Sequence, residues 1–327
     1  MSKITALVIS YNEINYIKRA VESVISQMTD NIEIEILIGD DGSCDGSHEV
    51  ICQIEDEYST DKISIRHFFM CRDEDPDVII PSIRVSNLIK IMLSAATGDY
   101  CTILSADDFF CDNTKFITAM TFLDNHSDYF SYVTGFRYNK KVNIPDLYSS
   151  FMFWAHPDYF HISCFVFRRI DPSLLLERYC DDTGMLYSIL KQGKYKSDNK
   201  ITFEYFHRDD SITNSSSRCE LLINEAMIIQ DILNDRNLDF GFRFATKSRE
   251  FWAVKELYAC RNLLKDKRFL RYLLNCSQYK NDIVGRLAYC SVIRNRLWFI
   301  LFFSGMAFAH YYIAVIWRLE KLFRKNR

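Results

Sequence analysis

Apolar residues occur along the first half of the chain in short runs that alternate with amphipathic stretches. Four runs have the length and content of buried strands: Ile4–Ser10, Ile34–Gly39, Ile63–Phe68 and Tyr100–Leu104. In Ile17–Met28 the apolar residues repeat at helical spacing, with Lys18, Arg19 and Glu22 on the other face, and Ser82–Ala96 is also helical. This alternation predicts an α/β fold with a mainly parallel, doubly wound sheet.

The middle of the chain is richer in strand patterns, and the remainder is mainly helical. Three further runs favour strands: Tyr129–Arg137, Cys164–Arg168 and Ile201–His207. The polar run Ser211–Ser217 indicates a loop, and the chain beyond it is helical and basic. We therefore expect an α/β domain over residues 1–217 and a helical region over residues 218–327. Asp45 and Asp112 precede helical stretches and are the expected N-caps.

Polar side chains follow three of the predicted strands at the points where the strands end. The first strand is followed by Ser10-Tyr11-Asn12-Glu13, the second by Asp40-Asp41-Gly42-Ser43, and the strand ending at Leu104 by Asp107-Asp108. The carboxyl ends of parallel strands share one edge of an open α/β sheet, where ligands bind. Carboxylates gathered there repel each other unless a cation or a hydrogen-bonding ligand separates them. A divalent cation holding a nucleoside diphosphate meets that need.

Composition limits the partners of the protein. The chain has 327 residues and a net charge of −3, so it lacks the basic field expected of a nucleic-acid-binding protein. Its 11 Cys include no Cys-x-x-Cys pair and no zinc-ligand spacing, which predicts reduced thiols in the cytoplasm. Because Met1-Ser2-Lys3 leads directly into a strand, we expect no signal peptide.

The order of three motifs carries more information than any one of them. The motifs are Val8-Ile9-Ser10-Tyr11-Asn12-Glu13, then Asp40-Asp41-Gly42-Ser43 with Asp45, then Gly98-Asp99-Tyr100 leading to Asp107-Asp108. Each alone has an ordinary explanation as a turn or a helix cap. Together they resemble the family 2 glycosyltransferases with the GT-A fold, of the bacterial surface-polysaccharide type. The resemblance implies a transferase that uses a nucleotide-diphospho-sugar, with a UDP-sugar as the first expectation, and a divalent metal, Mg or Mn.

The resemblance also assigns roles to the residues at the first two strand ends. It implies that Ser10, Tyr11, Glu13 and Asp41 bind the nucleotide, with Tyr11 stacking on the base and Asp41 hydrogen-bonding it. Arg84 faces the diphosphate in this interpretation, and an ordinary surface arginine on a helix is the alternative.

The acidic pair after the Leu104 strand corresponds to the Asp-x-Asp motif of the family. The resemblance implies that one carboxylate contacts the ribose and the other the metal, and we expect Asp108 to be the metal ligand with Asp107 beside it. Ser105 departs from the family, because it stands where relatives often have the first Asp of the motif.

An inverting transfer also needs a carboxylate that accepts the proton of the attacking hydroxyl. In the family this base lies in a short acidic motif at a helix start, and Asp181-Asp182 matches it, with Asp182 preferred. A plain N-cap pair is the alternative. By resemblance, His207 approaches the metal or the diphosphate, whereas a structural histidine is the ordinary explanation.

The segment Leu297–Trp317 is almost entirely apolar and, at about 1.5 Å per helical residue, long enough to cross a bilayer. Both flanks are basic, so a full crossing places one of them outside, against the positive-inside tendency. We therefore expect a re-entrant or in-plane segment on anionic lipid, at the cytoplasmic face of the inner membrane, in a peripheral or monotopic protein. A buried helix is the alternative.

Two functional interpretations follow. The first is a hexosyltransferase-type enzyme that extends a glycan or polyprenyl-diphosphate-linked acceptor in O-antigen or capsule biosynthesis. The second is an inactive GT-A domain that serves as a binding or scaffold subunit, which Ser105 favours. A nucleotidyltransferase is disfavoured because Ser10-Tyr11-Asn12-Glu13 contains no glycine. A homo-oligomer is compatible with either interpretation.

Overall fold

The protein divides into two compact units. In the computed structural model the described residues are 2–71, 81–138, 141–145, 154, 161–176 and 182–206, with further positions at 225, 228–229, 231–233, 235, 238–246, 248–249, 311–312 and 315. One unit comprises residues 1–150 and 157–207, and the other comprises residues 151–156 and 208–327. The boundary expected at residue 217 lies outside the described residues and stays a prediction.

The first unit contains a mixed sheet of nine strands with helices packed against it. Its strands are β1 (Ser2–Ser10), β2 (Ile32–Asp40), β3 (Ile63–Phe69), β4 (Tyr100–Ser105), β5 (Phe109–Phe110), β6 (Tyr129–Tyr138), β7 (Lys141–Asn143), β8 (Phe165–Arg168) and β9 (Lys194–Tyr205). Its helices are α1 (Ile17–Ile25), α2 (Ser47–Tyr58), α3 (Pro81–Ala95), α4 (Lys115–Asn125) and α5 (Asp182–Gln192). Short 3-10 turns cover Ile162–Cys164 and Pro172–Leu174.

The predicted parallel sheet is confirmed for its first four strands. The spatial order is β3-β2-β1-β4-β8-β6-β9-β5, and β7 pairs with β6. All pairs among β1, β2, β3 and β4 are parallel, as is β6 with β9, whereas β8, β5 and β7 add antiparallel pairs. The central strands are buried on both faces by the helices, which explains why they appear in the sequence as continuous apolar runs.

The two expected helix caps lie slightly outside their helices. Helix α2 starts at Ser47 after Gly46, whose φ of 98° suits a glycine, and Asp45 accepts a hydrogen bond from the backbone N–H of Ser47 at 3.0 Å. Asp112 accepts one from the backbone N–H of Thr114 at 2.9 Å, one residue before α4 begins. Both aspartates therefore organise the turn that leads into the helix, and the N-cap positions belong to Gly46 and Thr114.

A buried carboxylate ties the amino end of the sheet together. Glu35 on β2 is only 2% exposed. It accepts hydrogen bonds from Thr5 Oγ1 at 2.7 Å, from the backbone N–H of Thr97 at 2.7 Å and from Arg66 Nη2 at 2.9 Å. Burial alone raises the pKa of Glu35, but the hydrogen bonds from Thr97 and Thr5 outweigh it and hold the pKa below its usual value. The charged carboxylate therefore stabilises the fold.

In the second unit, a small polar cluster fixes the segment around Trp154. The indole Nε1 of Trp154 donates to Thr246 Oγ1 at 2.9 Å, and the guanidinium of Arg249 lies 3.9 Å from the ring centroid. Arg249 also pairs with Glu225. Within the described residues, no helix has the length and apolarity that a bilayer crossing requires. The segment 297–317 lies outside them except at residues 311, 312 and 315.

The Glu35 network predicts acid-sensitive stability. Because the folded-state pKa of Glu35 lies below its unfolded value of 4.5, its stabilisation is present above pH 4.5 and is lost as the pH falls through the folded-state pKa. We expect Glu35→Gln to lower the free energy of unfolding at pH 7 by about 1–3 kcal/mol for each buried group left without a partner. Denaturant titrations at pH 7 and pH 4 measure the effect, and the deficit should shrink at the lower pH.

Glu57→Gln is the matched control, because it removes only the exposed Lys18–Glu57 pair at 3.1 Å. Equal losses of stability in Glu35→Gln and Glu57→Gln would contradict the assignment.

Candidate functional site

The loops after β1 and β2 are joined by hydrogen bonds at the carboxyl edge of the sheet. The backbone N–H groups of Asn12 and Glu13 donate to Ser43 Oγ at 2.7 Å and to Ser47 Oγ at 2.9 Å. The backbone N–H of Asp41 donates to the carbonyl of Ser10 at 2.9 Å. Ser10, Glu13 and Asp41 are therefore brought together and buried, as the motif order predicts. Tyr11 lies between them and is partly exposed, and its role in stacking on a base stays a prediction.

Arg84 is not a surface arginine. It is 6% exposed, and its Nε donates to Asp41 Oδ1 at 2.7 Å. Helix α3 carries Arg84 this close to the end of β2 because Gly39 leaves room for it: a Cβ at Gly39 would lie 2.6 Å from Leu88 Cγ. The structure thus places a buried cation directly beside the predicted nucleotide-binding carboxylate.

The acidic pair after β4 divides into a half-exposed and a buried member. Asp107 is partly exposed, whereas Asp108 is 1% exposed. Asp108 Oδ1 accepts a hydrogen bond from the backbone N–H of Phe206, just beyond β9, at 2.8 Å. The pKa of Asp108 is raised to about 8, mainly by burial and also by the carboxylates of Asp107 and Asp182, while Phe206 and Arg19 act to lower it.

Four buried polar atoms at this edge lack a hydrogen-bond partner within the described part of the chain. They are Ser10 Oγ, Arg19 Nε, Arg84 Nη2 and Asp108 Oδ2. Buried polar groups in folded proteins are normally paired, so unpaired ones need a specific explanation. A donor and an acceptor that converge on the carboxyl edge of a parallel sheet match a bound polar ligand, with the anionic part near Arg84 and a cation or hydroxyl near Asp108.

The structure brings Asp182 to the same site. Asp182 is exposed in the first turn of α5, and its charge raises the pKa of both Asp108 and His161. Its neighbour Asp181 and the predicted ligand His207 lie outside the described residues. The helix-start position of Asp182 is therefore confirmed, while the roles of all three remain predictions.

His161 belongs to the site but was absent from the sequence prediction. Its Nε2 lies 4.0 Å from Asp108 Oδ2, and its ring stacks on Phe203 with centroids 4.8 Å apart. Burial lowers the pKa of His161, and Asp182 and Asp107 partly oppose that effect. The only sequence signal was a histidine placed just before the strand Cys164–Arg168, which does not identify a site by itself.

Arg19, on the predicted polar face of α1, contacts the turn after β4. Its Nη2 donates to the carbonyl of Asp107 at 2.9 Å, and its guanidinium lies 4.4 Å from the Phe109 centroid and 4.9 Å from the Phe206 centroid. Helical spacing places Arg19 on the polar face with Lys18, and the turn after β4 packs over that side of the helix at Arg19. Arg19 thus supports the turn that carries the acidic pair.

The metal prediction can be tested against the donor set. The described residues contain no group of three His, Cys, Asp or Glu side chains that could hold a metal ion. Magnesium, however, is often held by one or two carboxylates together with substrate phosphates and water. The unpaired Oδ2 of Asp108, with Asp107 beside it, fits that mode of binding.

Comparison with known proteins supports the family resemblance of the first unit. Residues 5–69 match the sequence model of the family described as Glycosyl transferase family 2. The predicted resemblance to family 2 glycosyltransferases is thus confirmed for this segment. An uncharacterized glycosyltransferase of Mycoplasma genitalium is 30% identical over 112 residues, which cover 34% of this chain and 34% of that protein. The abequosyltransferase RfbV of Salmonella typhimurium is 30% identical over 119 residues, which cover 36% of this chain and 32% of RfbV. The matches thus span about a third of these relatives.

Solved structures extend the similarity over most of the chain. TarS of S. aureus (residues 1–349), in complex with UDP-GlcNAc, superimposes with a TM-score of 0.56 at 15% identity, covering 88% of this chain and 79% of TarS. The mannosyltransferase PcManGT of Pyrobaculum calidifontis, in complex with GDP-Man and Mn²⁺, gives 0.52 at 12% identity, covering 94% and 86%. At these identities the similarity concerns the fold alone, and the predicted GT-A fold is confirmed.

Because the pKa of Asp108 is raised, we expect this carboxyl group to destabilise the folded protein at high pH. Without metal, the folded protein keeps a proton on Asp108 that the unfolded chain loses above its ordinary pKa of 3.8. Stability therefore falls as the pH rises from 3.8 towards 8. Asp108→Asn removes this cost and keeps an oxygen for the Phe206 N–H. We expect it to raise the free energy of unfolding at pH 8 by about 1–3 kcal/mol.

Denaturant titration in EDTA at pH 8 and pH 4 measures this gain, which should disappear at the lower pH. Asp107→Asn is the control, since its carboxylate is partly exposed and should change stability little. A destabilised Asp108→Asn protein at pH 8 would show that the buried carboxylate is instead compensated in the free protein.

Proposed function

We propose that this protein is an inverting glycosyltransferase that moves a sugar from a nucleotide-diphospho-sugar to a hydroxyl of a glycan acceptor. The observation that carries the proposal is the Asp108 carboxylate, buried at the end of β4 with Oδ2 unpaired, inside a family 2 glycosyltransferase domain. A fully buried unpaired carboxylate oxygen destabilises a fold unless a ligand uses it. In this proposal Tyr11 binds the nucleobase, Arg84 binds the diphosphate and Asp182 accepts the proton.

The nucleotide end of the donor would lie over the loops after β1 and β2. Tyr11 offers a partly exposed ring for the base, and Asp41 is held rigidly by Arg84. The unpaired Nη2 of Arg84 is available to a diphosphate oxygen. Asp108, with Asp107, would hold a Mg or Mn ion, which when bound neutralises charge on the leaving nucleoside diphosphate.

The chemical step requires one proton acceptor on the acceptor side of the sugar. In the proposed reaction the acceptor hydroxyl oxygen attacks the anomeric carbon, and the bond from that carbon to the diphosphate oxygen breaks. The hydroxyl proton passes to the carboxylate of Asp182, which is exposed at the start of α5 and therefore reachable by an acceptor. The nucleoside diphosphate leaves with the bonding electrons.

The relatives support the class of donor and leave the sugar open. TarS is complexed with UDP-GlcNAc and PcManGT with GDP-Man and Mn²⁺, and RfbV is named for abequose transfer. We propose a UDP-sugar donor and a lipid-linked glycan acceptor of surface-polysaccharide (O-antigen or capsule) biosynthesis. The alternative, an inactive binding subunit, rests on Ser105, which lies at the end of β4 in the position of a family carboxylate.

Donor turnover tests this proposal. Purified protein is incubated with UDP-glucose, UDP-galactose, UDP-GlcNAc or GDP-mannose, with Mg²⁺ or Mn²⁺, and release of nucleoside diphosphate is measured with and without a lipid-linked glycan extract. We expect turnover with one donor, and we expect Asp182→Asn to lower its rate by about 10²–10⁴, because the amide cannot accept the proton. Calorimetry should show unchanged donor affinity for that variant.

Asp61→Asn serves as the control for this measurement, since Asp61 is exposed and precedes β3 at the opposite edge of the sheet. Full activity of Asp182→Asn would show that another residue accepts the proton. Donor binding without turnover by the wild-type protein would favour the inactive subunit, and binding of none of the donors would contradict both interpretations.

We also propose that the C-terminal region associates with the cytoplasmic face of the inner membrane through the segment 297–317. Tyr311, Tyr312 and Val315 within it are 61%, 51% and 54% exposed, which is high for large apolar side chains. The basic residues after the segment complement anionic headgroups. Aromatic side chains beside a basic flank are typical of an interfacial segment.

Vesicle flotation of the full-length chain tests membrane association. We expect binding to vesicles that contain phosphatidylglycerol, retention in high salt because apolar contacts are not screened, and release by detergent. The double substitution Tyr311→Ser with Tyr312→Ser should weaken binding, whereas Tyr58→Ser on α2 should not. Wild-type protein that stays unbound would restore the buried-helix alternative.

A further inference from the structure

The chain turns directly after Tyr11 through a rarely used backbone conformation. Asn12 has a φ of 56°, in the left-handed region, and within the described part of the chain it is the one non-glycine residue with a positive φ. An L-residue adopts this conformation only where its surroundings hold it, and asparagine tolerates it better than most. Tyr11 before the turn is partly exposed, whereas Glu13 after it is buried. The turn at Asn12 thus separates the ring proposed to bind the base from a buried carboxylate.

Ser43, in the loop after β2, holds this turn. Its hydroxyl donates to Asp40 Oδ1, and its backbone N–H donates to Asp40 Oδ2 at 2.9 Å. Because the hydroxyl proton is engaged by Asp40, the oxygen is left to accept, and it does so from the backbone N–H of Asn12 at 2.7 Å. In return, the backbone N–H of Cys44 donates to Asn12 Oδ1 at 3.0 Å. The backbone and the side chain of Asn12 are therefore both bonded to the loop after β2.

A second hydroxyl and carboxylate hold the residues that follow Asn12. Ser47 Oγ donates to Asp45 Oδ1 at 2.6 Å and accepts from the backbone N–H of Glu13 at 2.9 Å. Asp45 Oδ2 accepts from the backbone N–H of Ile14 at 3.1 Å. Three successive backbone N–H groups after β1 thus donate to side chains of the loop between β2 and α2. Two of the three acceptors are serine oxygens whose own protons are engaged by an aspartate.

Ser43 differs from Ser47 because it bonds a peptide group next to Tyr11. The N–H of Asn12 belongs to the peptide group that follows Tyr11, and it donates to Ser43. The carbonyl of Ser10 belongs to the peptide group that precedes Tyr11, and it accepts from the backbone N–H of Asp41 at 2.9 Å. Both peptide groups that carry Tyr11 are therefore fixed by the loop after β2. We propose that Ser43 is a positioning residue for the nucleobase, which acts through Asn12 on the ring of Tyr11.

This inference rests on the proposed function, in which Tyr11 stacks on the base. Without the Ser43 hydroxyl, the left-handed conformation of Asn12 loses a contact that holds it, and only part of the protein keeps Tyr11 in the binding position. The apparent affinity falls in proportion to that part. Calorimetry with UDP and GDP measures it. For the nucleotide that the wild-type protein binds, we expect Ser43→Ala to lower the affinity about 10-fold, the equivalent of one hydrogen bond.

Two matched serine variants separate the hydroxyl from a general loss of structure. Ser43→Thr keeps the hydroxyl and should retain the nucleotide affinity within about 3-fold. Ser64→Ala, at an exposed position on β3, should leave the affinity unchanged. Equal losses in Ser43→Thr and Ser43→Ala would show that the hydroxyl is not the cause and would overturn the inference.

A double-mutant cycle tests whether Ser43 acts through Tyr11. Tyr11→Ala removes the stacking ring and should lower the nucleotide affinity by about 10-fold or more. If Ser43 only positions this ring, Ser43→Ala should cause no further loss in the Tyr11→Ala protein. Losses that add in the double variant would show that Ser43 acts on another part of the nucleotide, and they would overturn the inference.

Pyrophosphate, which has no base, distinguishes the remaining outcomes when it is titrated as a competitor of the nucleotide. We expect Ser43→Ala to leave the pyrophosphate affinity unchanged. A parallel loss of pyrophosphate and nucleotide affinity would assign Ser43 to the support of the whole site and overturn the inference. Unchanged nucleotide affinity in Ser43→Ala would also overturn it and leave the glycosyltransferase proposal standing. Wild-type protein that binds neither UDP nor GDP would remove both proposals.

Discussion

The parallel register of β1 with its two neighbours is the constraint on which the site depends. Ser10 pairs with Asp40 on one side, and Ile9 pairs with Ser105 on the other. This register makes the three strands end at the same level, so the loops that follow them emerge at one edge. A register shift of one residue would turn each strand's buried side chains to the opposite face, and the apolar core forbids that. Core packing thus sets the distances between polar groups that share no local sequence.

The buried Asp108 at this edge destabilises the fold, and the surrounding core offsets that loss of stability. Asp108 is buried with one oxygen bonded to the backbone of Phe206 and the other unpaired. Its pKa is raised to about 8 because burial opposes the charged form. Apolar strands on both sides of β4 supply the stability that offsets this cost. By contrast, the buried Glu35 at the amino end of the sheet is fully hydrogen-bonded, and its pKa is lowered. The two carboxylates differ in their partners, which distinguishes the candidate binding edge from the structural one.

Support for the site comes from elements that are distant in sequence. Arg19 on α1 holds the turn after β4, and the backbone of Phe206 after β9 holds Asp108 from the other side. Ser163, itself anchored by Lys115, fixes the ring of His161. Side chains fixed in this way lose little further conformational entropy on binding a ligand, which is the advantage of a preorganised site.

The sequence by itself determined the elements, the positions of the acidic motifs and the family resemblance. Buried parallel strands must be apolar along their length, so the runs that became β1, β2, β3 and β4 were visible as patterns. Residues that follow such strands lie at the ligand-binding edge whatever the rest of the chain does. The placement of Asp41 and Asp108 followed from this rule, whereas that of Asp182 followed from the family resemblance.

Only the tertiary structure decided which side chains support those carboxylates. Arg84 and Asp41 are 43 positions apart, and Phe206 and Asp108 are 98 apart. Helical periodicity reports which face of a helix is apolar, but it cannot show that a loop packs over the polar face, as happens at Arg19. Likewise, His161 precedes a strand whose place beside β4 depends on antiparallel pairing within the mixed sheet. Local sequence patterns indicate which residues are buried. Which residues contact each other across the fold is set by packing between elements, so only the tertiary structure shows the partners of the site residues.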